Sequence, residues 1–137
     1  MNRKDFQALS DIRLNEAKAL LAAGFPEGAY YLAGYSVECA LKSCIAKRTQ
    51  QHDFPDKRLV DKSYTHDVEK LLDAAGLSDS LRNDLAKNEG LKLNWETVRE
   101  WSEQSRYEKK PAQAATALLK AIEDREGGLL PWVLKHW

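Results

Sequence analysis

The chain has 137 residues, with 21 Lys plus Arg against 21 Asp plus Glu, so its formal charge at pH 7 is zero. A net-neutral chain is a poor general polyanion binder, and any nucleic-acid contact has to come from a local cluster. Charged residues at 31% and hydrophobic residues at 43% exclude a disordered chain and fit one soluble domain, residues 1–137, with a core of its own. Nineteen Leu and 17 Ala stand against 5 Val, 3 Ile and 4 Thr, an excess of helix formers that predicts an all-α protein.

The first predicted helix runs from about Arg3 to Ala23, with Phe6, Leu9, Ala17 and Leu20 on one face and Gly24 as its stop. Pro26 suits the first turn of a second helix that reaches roughly Thr49. Between Ala29 and Ala46 its only charges are Glu38 and Lys42, so most of its circumference is apolar and belongs in an interior. Gln50 to Tyr64 reads as a charged loop around Pro55. Thr65 is the expected cap of a third helix, His66 to about Ala74, ended by Gly76. Ser78 opens a short fourth helix to Lys87, and Asn88-Glu89-Gly90 breaks it. Asn94 is the expected cap of a fifth helix, Trp95 to about Ser105. After Lys109-Lys110-Pro111 a last helix spans about Ala112 to Glu126, stopped by Gly127-Gly128. The apolar tail Leu129 to Trp137 is expected to pack on the bundle or on a partner. The sum is an up-and-down bundle of four main helices with short extra ones. The apolar second helix and the tail together predict a homodimer.

The first residues carry no continuous apolar stretch of a signal peptide, and no uncharged run approaches the roughly 20 residues that span a bilayer. Cys39 and Cys44, five apart on a helix, point about 140° away from each other and neither pair nor share a metal. Two free buried thiols fit a reducing compartment, and the expected location is the cytoplasm, with no membrane partner.

Tyr31, Tyr35, Glu38 and Lys42 are spaced four, three and four, which places them within a strip of roughly 60° on the second helix. Such a ribbon is either an ordinary solvated Glu–Lys pair beside two tyrosines or the wall of a groove in which Glu38 is held by a cation and faces a ligand. The three histidines, His52, His66 and His136, are scattered without ligand spacing, so neither a metal nor a cofactor is expected. His66 is either a surface histidine near a helix cap or a ring folded against Glu38. Trp95 and Trp101, six apart, are expected in packing rather than base stacking. Lys57, Arg58 and Lys62, with Arg106, Lys109 and Lys110, form a positive rim if their loops meet.

The run Ala29-Tyr30-Tyr31-Leu32-Ala33-Gly34-Tyr35-Ser36-Val37-Glu38-Cys39-Ala40-Leu41-Lys42 resembles the second-helix signature of HEPN domains (higher eukaryotes and prokaryotes nucleotide-binding). Thr65-His66-Asp67 is similar to the segment that opens that family's next helix, and Ser105-Arg106-Tyr107 to the Arg-Tyr pair before its last main helix. The resemblance, which spans nearly the whole chain in order, implies a dimerising helical bundle. It also implies one of several roles: a metal-independent ribonuclease, often a toxin or defence effector; the partner of a minimal nucleotidyltransferase; or a non-catalytic RNA- or nucleotide-binding module. The ribonucleases carry an Arg and a His separated by four to six residues, and no Arg–His pair of this chain has that spacing. The expected reading is therefore a non-catalytic module with a groove of Glu38, Lys42, Arg106 and Tyr107, bordered by Tyr31, Tyr35 and His66. The alternative is a divergent endoribonuclease. Glu38 and Arg106 are expected within ion-pair reach.

Overall fold

The computed structural model describes residues 1–49, 53–54 and 56–137, and the architecture is all-α. Helix α1 (Arg3–Ala22) opens with a reciprocal cap: the Asn2 side chain accepts from the Asp5 amide, and the Asp5 carboxylate accepts from the Asn2 amide. Gly24, at φ +87°, turns the chain, and Pro26 starts α2 (Pro26–Arg48). A positive φ costs glycine nothing, which is why the turn falls there. Ser10 of α1 donates to the carbonyl of Ser36 at 2.8 Å, a buried bond that fixes the register of the two helices.

α2 runs through the middle. Thirteen of its 23 residues are buried, and α1, three later helices and a short 3-10 turn all pack on it. The later elements are α3 (Lys57–Ser63), α4 (Val68–Ala74), α5 (Ser78–Lys87), α6 (Glu89–Arg99), a 3-10 turn (Glu103–Tyr107), α7 (Ala112–Glu123) and α8 (Leu129–Leu134). Those touching α2 are α4, α7, α8 and the 3-10 turn. The apolar residues of these elements merge into a single core cluster.

Several predicted boundaries move. The second half of the expected loop Gln50–Tyr64 holds α3, capped by Asp56, whose side chain accepts from the Arg58 amide at 2.9 Å; Gln50, Gln51, His52 and Pro55 lie outside the described residues. α4 is capped by Asp67 instead of Thr65, which leaves His66 in the turn before the helix. Asn88 does not break the fourth helix so much as start the next one, with its side chain accepting from the Leu91 amide at 3.0 Å. Asn94, the expected cap, lies inside α6 and donates to the Gly127 carbonyl at 2.8 Å, tying the α7–α8 link to α6. α6 ends at Arg99, six residues earlier than expected, because Trp101 leaves the helix to pack on α2.

The tail packs within its own chain. Leu129, Leu130, Trp132 and Val133 are buried, and the Trp132 indole donates to the Asp84 carboxylate at 2.8 Å. The apolar circumference of α2 and the apolar tail, the two features that pointed to a dimer, thus both find their partners in one chain. Among the described residues no helix is long and apolar enough to cross a membrane.

Candidate functional site

The site is built where the 3-10 turn and the turn before α4 meet one side of α2. Glu38 is the deepest element, only 1% exposed. One of its oxygens, Oε1, lies 2.9 Å from Lys42 Nζ, one helical turn on, and 2.9 Å from His66 Nδ1. The other ring nitrogen of His66 lies 2.7 Å from Glu103 of the 3-10 turn. Glu103 in turn stands 3.9 Å from Arg106. These side chains therefore form a line across three segments: Lys42, Glu38, His66, Glu103, Arg106. A buried carboxylate is tolerable only with such partners, because desolvation costs several kcal/mol per ion. Its second oxygen, Oε2, is buried without a hydrogen-bond partner.

The expected direct pairing of Glu38 with Arg106 is corrected by this geometry. The two residues make no ion pair with each other; His66 and Glu103 stand between them. Arg106 faces outward, 44% exposed, and stacks over the Tyr107 ring at 4.8 Å. Desolvation is the largest single influence and disfavours its charge, but Tyr107 and Glu103 beside it, with the nearby Tyr31 hydroxyl, together outweigh that and push the guanidinium up.

One turn before Glu38, the aromatic part of the ribbon meets Trp101. Tyr31 stacks against both Tyr35 and Trp101, with ring centroids 6.1 Å apart in each case. Trp101 lies flat on Gly34, where a β-carbon would stand 2.1 Å from the indole. Gly34 is therefore required by a close approach and not by its dihedral freedom. Tyr35 is pushed up mainly by burial, reinforced by Cys39 and Glu38 beside it. Burial also raises both thiols to about 11, with Glu38 adding to the effect at Cys39. Neither cysteine is a nucleophile near neutral pH.

The remaining expected residues fall as follows. Trp95 and Trp101 are both buried. Of the six cations of the basic rim, Lys62 pairs with Asp73, Lys110 with Glu108 and Arg106 with Glu103 at 3.9 Å. Lys110 also covers the Tyr30 ring at 4.7 Å. Among the described residues no group of three His, Cys, Asp or Glu side chains is arranged to hold a metal ion. Sequence reasoning missed Glu103 and the Gly34–Trp101 contact. Glu103 has no periodic signal, because it comes from a five-residue 3-10 turn.

Comparison with family models, curated proteins and solved structures finds no match to this chain.

Proposed function

We propose that the chain is a HEPN-like module that binds a nucleotide or RNA through phosphate and base contacts and does not cleave it. The segments that carry the resemblance converge: Glu38 of α2 meets His66, and the Arg106-Tyr107 pair stands at the outer end of the same line. Arg106 is half exposed and only loosely held by Glu103, which leaves its guanidinium able to take a phosphate. Tyr107, 73% exposed, offers a ring on which a base stacks.

The observation that carries the non-catalytic reading is the clamp on His66. Its ring nitrogens lie 2.9 Å and 2.7 Å from two carboxylates. Both are engaged, so neither is free to take the proton of a ribose hydroxyl. His136 is on the tail, tilted at 53° against the Trp132 ring with centroids 4.7 Å apart.

The test is fluorescence anisotropy with labelled single-stranded RNA and labelled ATP, alongside a denaturing gel of the same RNA. Binding that falls about tenfold or more in Arg106→Ala and Tyr107→Ala, with the RNA intact, is the expected result. Cleavage by the wild type that is lost in His66→Ala would replace this reading with the divergent endoribonuclease. The same exposed face is where, by the resemblance, a nucleotidyltransferase partner or a second copy would dock, in a cytoplasmic toxin–antitoxin or defence setting. Sedimentation of the pure chain and of a mixture with the partner tests both.

A further inference from the structure

A concavity lies around the corner from this site, between the start of α1, the last turns of α2, and α3. It is a cleft of about 880 Å³. Phe6, Ile45 and Ala46 line its floor, and Met1, Val60 and Tyr64 line its rim. The rim residues are 74%, 40% and 85% exposed, so the apolar surface is open to water. Its charged lining is one-sided. Arg3, Lys42 and Lys47 contribute, and no Asp or Glu is among the described lining residues. Among the described residues Lys42 alone of the three cations is paired with a carboxylate side chain, that of Glu38. Lys47 and Arg3 reach main-chain oxygens of His136 and Trp137.

An apolar trough whose described lining carries cations and no Asp or Glu is complementary to one kind of small molecule: an apolar body carrying a negative head. The volume suits a ligand of ordinary small-molecule size, for which sites run from about 300 to 1,000 Å³. A neutral hydrophobe would leave the cations unused, and a bare phosphate would leave the floor and rim wet.

We propose that this cleft binds a soluble single-chain amphipathic anion, with its head on Lys42 and Lys47 and its chain along Phe6, Ile45 and Tyr64. Because Lys42 also holds Glu38, a bound head group competes with Glu38 for the same ammonium. The cleft and the Glu38–His66 line are thereby coupled through one side chain.

Titration calorimetry of the full chain with decyl phosphate tests this, with decanol and inorganic phosphate as separate arms. The expected result is saturable binding of decyl phosphate at least about tenfold tighter than either half-ligand. Val60→Asp, at an exposed position of α3, and Lys47→Glu each weaken it about tenfold or more, with the thermal melt by circular dichroism unchanged. The proposal is overturned by equal binding of decanol, by binding that both variants leave intact, or by no binding of decyl phosphate below its micellar range. It is equally overturned if the chain sediments as a dimer that Val60→Asp dissociates, since a second copy then fills the cleft. Uptake by anionic vesicles without monomer binding overturns it too.

Discussion

The segment from Trp101 to Tyr107 is fastened to α2 at two points, and the two fastenings differ in kind. At one, the Trp101 indole lies against Gly34 and Tyr31, 4% exposed, with no charge involved. At the other, Glu103 reaches Glu38 only through His66, whose side chain is 50% exposed. The apolar contact supplies stability, because burying an aromatic ring removes a large area from water regardless of salt or pH. The ionic contact offsets most of its own desolvation and chiefly sets position. The segment that carries Arg106 and Tyr107 is thus held firmly at its root and adjustably at its tip.

The sharpest way to break that comparison is Gly34→Ala. The added methyl group would stand 2.1 Å from the indole, so Trp101 has to leave its seat. A loss of about 3 kcal/mol is expected, in the range of a core aromatic truncation, with a red shift of tryptophan emission. A melt unchanged within error would mean that Trp101 is not the root of the segment.

His66→Ala comes next. It removes one of the two partners that a buried carboxylate has among the described residues and should cost about 1–3 kcal/mol by chemical denaturation. Adding Glu38→Gln to it should cost less than the sum of the two single changes, because the charge left unpaired has gone. Strict additivity would show that the two side chains are not coupled.

Glu103→Ala touches a half-exposed pair and should cost at most about 1 kcal/mol, shrinking further in high salt. Gly34→Ala should keep its full effect at the same salt concentration, and a salt response of the opposite order would invert the assignment of the two fastenings.

The smallest effect belongs to the far end of α2. Burial pushes His136 down from its ordinary range, helped by Lys47 and Lys135 against Asp84. A base with a lowered folded value stabilises the fold above the unfolded value near 6.5, and that contribution is lost as pH falls through the folded value. Between pH 7 and 5, His136→Gln should therefore lose less thermal stability than the wild type. An identical slope would remove the titration from the account.

The sequence reveals the helices with strong periodicity and clear stops. α1, α2, α5 and α7 begin within a residue or so of where spacing, Pro26 and Pro111 put them. Asn88-Glu89-Gly90 misled because the same residue types that end helices also cap them, and only tertiary context decides between the two. α3 was invisible because its seven residues bury nothing fully and leave no apolar stripe. The Glu38–Lys42 pair follows from i,i+4 spacing. The rest of the line does not, since His66 and Glu103 come from irregular segments whose approach to α2 depends on how Trp101 and the neighbouring helices pack. Arg106 can be picked out from the Ser105-Arg106-Tyr107 run, but its distance from Glu38 is a tertiary fact.

The enclosure of α2 has one more consequence. A central rod wrapped by five other elements cannot release its amide protons unless its neighbours come away together, whereas α3 has no buried residue to protect it. Deuterium uptake should therefore begin at α3 and reach Val37 to Leu41 last, so that the backbone around Glu38 opens only when the whole molecule does.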